Sequence, residues 1–226
     1  MDGEPLQRQR SRKTRSAVLI AIEGPDGIGK TSLARALVSA FKEAGHRASY
    51  LAFPGARQRT IGQFVYRVHH KPGTAGFYRL KPAALQTLHV VAHLDAIERD
   101  IAPRLRGGRA VILDRYWWST WVYGRQSGLK PEFLQGLRVI EEQAWGSIRP
   151  TLVVLLDRPR PWGRFRESAG WNRLRLGYQA LAWRERRQVQ ILRLRHVGTI
   201  AEATAKILSY LRLGSAKRRK SLRRGS

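Results

Sequence analysis

Residues 17–37 read AVLIAIEGPDGIGKTSLARAL: an apolar run, a glycine-rich turn, then an alanine- and leucine-rich stretch. The apolar residues ahead of Glu23 predict a buried strand, and those from Lys30 onward predict a helix. Between them, Gly24, Gly29, Lys30 and Thr31 fill every fixed position of the phosphate-binding pattern GxxxxGK(S/T), the P-loop. Gly24, Gly27 and Gly29 let the backbone curl so that its N–H groups converge on a phosphate, at which the following helix also aims its positive end. Lys30 is then placed to reach the outer phosphates of a nucleoside triphosphate, and the Thr31 hydroxyl to ligate Mg²⁺. Ser32, next in the chain, is counted with the nucleotide-binding residues.

Outside this stretch, length and composition narrow the choice. A chain of 226 residues, 42% of them hydrophobic, suits one α/β domain with a single core. It contains no cysteine, which excludes disulfides and thiolate metal sites and agrees with a reducing compartment. No signal peptide and no apolar run near membrane-span length occur, so a cytoplasmic protein without membrane insertion is expected. Charge is lopsided: 43 Lys+Arg against 16 Asp+Glu give a formal +27. Such a field favours anionic partners, whether nucleotides or nucleic acid. Residues 1–16, read as a disordered basic arm, carry net +3, and residues 216–226 carry +6, which leaves +18 on the rest.

Further along, 47–53 (RASYLAF) predict a second strand, 61–69 a helix, and Pro82 the first position of a long helix reaching about 105. AVILD at 110–114 and TLVVLLD at 151–157 are wholly apolar strands that end on a carboxylate, with a helix over 131–145 between them. A proline-, glycine- and arginine-rich break follows, then a helix over 176–187, a strand over 189–194 and a last helix over 200–212. Continuous apolar strands alternating with helices predict a doubly wound five-stranded parallel sheet covered on both faces, its ligand site at the strand C-termini.

GPDGIGKT, the FPG that begins at Phe53, the DRY of Asp114 to Tyr116, and RPTLVVLLD occur in this order and at these separations. Together they resemble the thymidylate kinase-like nucleoside monophosphate kinases over 17–212. The resemblance implies the P-loop kinase fold and transfer of the γ-phosphoryl group of ATP, with Mg²⁺, to a deoxynucleoside monophosphate, a dTMP-like acceptor being favoured. It makes Asp114 the carboxylate beside the metal and the acceptor, and Arg115 the cation that meets the transferring phosphates. Asp26 becomes the loop acid near the acceptor sugar. Phe53 matches the family's FP, after which an arginine holds the acceptor phosphate. The spacing here is one residue longer and offers Arg57 or Arg59, with Arg57 favoured.

Where the family carries an arginine near the acceptor base, this chain reads HLDA, with His93, Leu94 and Asp95 in that neighbourhood. The break at about 158–175 occupies the family's lid. With no arginine inside the P-loop itself, Arg164, Arg166 or Arg173 is expected to supply the closing cation. Arg193, Arg195 and the turn HVGT are candidates to flank adenine. His69 and His70, adjacent on a helix, point apart and make a poor metal pair. Trp117, Trp118 and Trp121 are expected in the core, or one of them against the acceptor base. KRRKSLRR, within the basic tail assigned to 213–226, could touch nucleic acid non-specifically. A homodimer is compatible with the resemblance. A second reading, a polynucleotide end kinase or a nucleic-acid binder that keeps the fold, follows from the charge that remains on the core.

Overall fold

The computed structural model describes residues 18–76, 78–161, 168–195 and 198–222. The strands are β1 (Leu19–Glu23), β2 (Ala48–Ala52), β3 (Ala110–Asp114), β4 (Leu152–Leu156) and β5 (Ile191–Leu194). All pair in parallel, in the order β2-β3-β1-β4-β5, so the expected five-stranded sheet is present. Residues of β1, β3 and β4 are buried throughout, which explains why these strands show no polar alternation. Their side chains nevertheless divide by pleat. Leu19, Ala21, Leu113 and Val153 enter one core with Trp117, Trp118 and Tyr178, whereas Ile20, Ile22, Ile112 and Val154 enter the other with Leu33, Leu37 and Ile207.

The helices are α1 (Lys30–Glu43), α2 (Ile61–His70), α3 (Pro82–Ala96), α4 (Ala102–Arg106), α5 (Trp117–Gln126), α6 (Pro131–Trp145), α7 (Ala169–Glu185) and α8 (Ile200–Leu222). The long helix predicted from Pro82 is present but broken by a π turn, Ile97–Ile101, between α3 and α4. Pro103 explains it: proline has no N–H to give to the carbonyl four residues back, and its ring crowds that carbonyl, so the turn widens. No helix was expected at α5, whose tryptophans, tyrosine and threonine are indifferent helix formers, yet burial of Trp117, Trp118 and Val122 holds it. Helix α7 begins seven residues earlier than expected, because Ser168 accepts the Trp171 N–H at 3.1 Å and caps it. The break after Asp157 is correspondingly shorter. Helix α8 continues past residue 212 into the basic segment. Among the described residues no helix is long and apolar enough to cross a membrane.

Strand order reverses about β1: its neighbours are β3 on one side and β4 on the other. The C-terminal ends of these three strands therefore open a crevice at the switch point, and Glu23, Asp114 and Asp157 stand there.

Candidate active site

The turn after β1 has the geometry its glycines imply. Gly29 caps α1 with φ 95°, and Gly24 has φ 140°. A Cβ on Gly24 would lie 2.6 Å from the Leu156 carbonyl, so only glycine fits between the loop and β4. No side chain caps the start of α1 and its first turn holds no acid, which leaves the positive helix end facing the crevice. Lys30 is buried, its Nζ donating to the carbonyls of Gly24 (2.9 Å) and Pro25 (2.7 Å) and standing 3.8 Å from Asp26. Burial, reinforced by the charge of Arg115, pulls its pKa down to about 8.

Opposite, the Thr31 hydroxyl donates to Asp114 Oδ2 at 2.5 Å, bringing together the two residues predicted to hold the metal. Arg115 has a left-handed backbone, φ 82°. Its guanidinium pairs with Asp26, donates to Ser119 Oγ at 3.0 Å and lies over the Tyr123 ring. Tyr123 donates to the other Asp26 oxygen at 2.7 Å. Burial alone would raise the Asp26 pKa, but Arg115, Lys30 and the Tyr123 hydroxyl outweigh it and hold the carboxyl below its ordinary range. Ser32 is exposed on the first turn of α1.

Other expected residues are more scattered. Phe53 is buried and stacks on His93, ring centres 4.1 Å apart. His93 Nδ1 in turn meets Glu141 at 2.8 Å, and Glu141 also accepts the Trp145 N–H, so His93, one of the three residues expected near the acceptor base, is tied into the core. Arg57 reaches back to Asp100 on the π turn at 3.0 Å, a carboxylate that Arg104 also clamps. Arg59 takes φ 61°, and its backbone N–H donates to Gln63. Arg164, Arg166, His196 and Val197 lie outside the described residues, while Arg173 is exposed on α7. Arg193, a candidate for the adenine side, donates to Asp157 at 2.6 Å, as does Arg175. Trp117 and Trp118 are core residues, as expected. Contrary to the expectation that they point apart, His69 stacks on His70 with ring centres 4.4 Å apart, and it meets His89 at 3.3 Å.

Reading the sequence missed Glu23, Ser119, Tyr123, Trp171 and Tyr178. Glu23 is fully buried and accepts from Tyr116 N–H (2.8 Å), Ser119 N–H (3.1 Å) and Ser119 Oγ (2.9 Å). Trp171 Nε1 donates to the Asp26 carbonyl at 2.9 Å, tying α7 to the loop. The available signal was a carboxylate ending an otherwise apolar strand, at the same level as Asp114 and Asp157.

A family profile described as thymidylate kinase matches residues 22–169, which runs from the end of β1 to the start of α7 and includes the whole P-loop and DRY. The chain belongs to the thymidylate kinase family. Members are nucleoside monophosphate kinases. A thymidylate kinase of Caulobacter vibrioides is 33% identical over 167 residues, covering 74% of this chain and 77% of that protein. Another, from Xanthomonas campestris pv. campestris, is 35% identical over 156 residues, covering 69% of this chain and 63% of that protein. The crystal structure of a thymidylate kinase from Ehrlichia chaffeensis superposes with a TM-score of 0.68 over 88% of this chain and 100% of that one. At 17% identity that likeness shows the fold.

The site's donor set fits the family's cofactors. Among the described residues no group of three His, Asp or Glu side chains could hold a metal ion. One hydroxyl and one carboxylate, Thr31 and Asp114, are what Mg²⁺ uses when phosphate and water oxygens complete its shell.

Proposed function

We propose that this chain moves the γ-phosphoryl group of ATP, with Mg²⁺, to a deoxynucleoside monophosphate, dTMP being the favoured acceptor. The observation that carries this reading is the 2.5 Å meeting of Thr31 Oγ1 and Asp114 Oδ2 beside the mouth of the loop that Lys30 spans. A hydroxyl, a carboxylate and an ammonium converge there on the end of a helix with no capping side chain. Mg²⁺, held by Thr31 and Asp114, would supply a Lewis acid for the phosphate oxygens. Lys30 exchanges the carbonyls of Gly24 and Pro25 for the outer phosphates of the donor. Arg115, steered by Asp26 and Ser119, meets the charge that builds on the transferring group. Asp114 also orients the acceptor, and Asp26 lies on the side assigned to the acceptor sugar. Phe53 backs the acceptor pocket, and Arg57 turns from Asp100 to the acceptor phosphate. Arg164 and Arg166 are assigned to closure of the lid, which excludes water from the reaction.

The test is a screen of nucleoside monophosphates with ATP and Mg²⁺, run beside polynucleotide 5′ ends. Fastest turnover of dTMP, and its loss in Asp114→Asn, are the expected results. Faster phosphorylation of polynucleotide ends than of any free monophosphate would favour the second reading, for which the core charge of +18 speaks.

A further inference from the structure

The phosphate-binding pattern leaves position 23 free, yet a carboxylate stands there with no exposure to solvent. Helix α5 has no side-chain cap of its own from Tyr116. Glu23 does that work from β1 by accepting the N–H groups of Tyr116 and Ser119 on one oxygen. Its other oxygen accepts the Ser119 hydroxyl. Because Ser119 donates to Glu23, its oxygen is left to accept, and it does so from Arg115 Nη1 (3.0 Å) and from Tyr178 (2.9 Å). An ionised Glu23 therefore sets the direction of the two hydroxyl bonds, of Ser119 and of Tyr178, while the N–H groups donate in either state.

Protonation reverses it. A neutral Glu23 must donate, and the oxygen within reach is Ser119 Oγ. The serine proton then turns toward Tyr178, which is fully buried and whose partner among the described residues is Ser119. Two donors then face each other between Ser119 and Tyr178, and the Arg115 guanidinium loses the negative charge of Glu23 that helps to hold it.

We infer that Glu23 is a positioning residue for Arg115: acting through Ser119 it fixes the guanidinium over the crevice, and phosphoryl transfer runs when Glu23 is ionised. This rests on the phosphotransferase reading above. The groups facing Glu23 are Lys30 from α1, Arg115 at the end of β3, the Tyr116 N–H, Ser119 from α5, Tyr178 from α7 and, across Arg115, Asp26 from the loop with Tyr123 from α5. Burial pushes the Glu23 pKa up to about 7 against the pull of Arg115, Ser119 and Lys30, so the switch lies near neutrality.

The experiment is the pH profile of steady-state kcat for the full chain and for Glu23→Gln, which imitates the neutral form. Wild-type kcat should fall on the acid side of about pH 7. The Gln protein should lack that limb, with kcat at pH 8 lower by about tenfold and donor KM within about twofold. Ser119→Ala, which keeps Glu23 but cuts its link to Arg115, should lower kcat at pH 8 by a similar factor. An acid limb and full kcat retained in Glu23→Gln overturn the inference. If that protein does not fold, unchanged kcat in Ser119→Ala overturns it. A wild-type chain inactive toward every monophosphate refutes the phosphotransferase reading instead. In that case an infrared carboxyl band titrating near pH 7 still supports the ionisation, and its absence overturns it.

Discussion

Lys30→Ala tests the site most directly. The lysine ammonium spans two loop carbonyls at 2.9 and 2.7 Å, and in the proposed function it leaves them for a bound phosphate. At about 3 Å and an effective dielectric of about 20, Coulomb's law gives roughly 5 kcal/mol for its attraction to one unit of phosphate charge. Donor phosphates are already charged before reaction, so only part of this is specific to the transition state. We expect kcat to fall by about 10²- to 10³-fold, or ~3–4 kcal/mol. Stability should change little, because the truncated side chain leaves space for water to reach the buried carbonyls of Gly24 and Pro25, and Tm should stay within about 3 °C. The ionisation adds a second check: with its pKa near 8, the wild-type lysine loses charge above that pH, and kcat/KM for ATP should decline there. An ADP-release assay across pH, with thermal unfolding alongside, measures all three. Turnover within tenfold of wild type, or a Tm drop beyond about 10 °C, would show that Lys30 is structural and not a phosphate ligand.

Arg57→Ala should raise the acceptor KM well above any change in ATP KM, and Arg59→Ala should do less; initial rates with each substrate varied reveal the reverse order if the register of this lengthened loop is wrong. Asp157→Asn should cost about 2 kcal/mol in urea unfolding, because Arg175 and Arg193 lose a charged acceptor but are exposed enough to rehydrate. Burial would raise the Asp157 pKa, yet Gln179, Arg193 and Arg175 outweigh it and hold it low. Its contribution is therefore complete above the unfolded value of about 3.9 and vanishes as pH falls through the folded one, so the gap between wild type and variant should close in strong acid. Deleting residues 1–15 and 216–226 should remove most nucleic-acid affinity, with its log-log salt slope of about −0.9 per duplex phosphate contact, and leave kinase rates intact. Tight binding by the trimmed chain, measured at two salt concentrations, would contradict this.

What could be read from sequence followed from local chemistry. Strands β1, β3 and β4 announce themselves as apolar runs, and Gly24, Gly29, Lys30 and Thr31 sit at positions whose spacing marks a phosphate loop, whereas the place of Asp114 beside them comes from the resemblance carried by its DRY. What could not be read depends on distant partners. Helix α5 exists because its tryptophans fill a core and Glu23 caps it from another strand. Arg57 pairs with Asp100 because the π turn brings that carboxylate to it, and no periodicity in residues 82–105 marks the turn beyond Pro103 itself. The start of α7 was hidden by a glycine in its first turn, Gly170, behind a serine whose capping bond only the folded chain displays.

The π turn also bears on how this helix could change length. A turn closed by i to i+5 bonds contains one residue more than its α-helical counterpart. Losing a single residue from Ile97–Ile101 would remove the surplus position while α3 and α4 each keep their own phase, although Pro103 would still withhold one N–H from the joined helix. The residues inside the turn would be re-indexed by about 100° for each position shifted. Asp100, now held by Arg57, Arg99 and Arg104, would swing away from at least one of them. The surplus residue is thus dispensable to the helix but not to the aim of its carboxylate, and one deletion would separate the two.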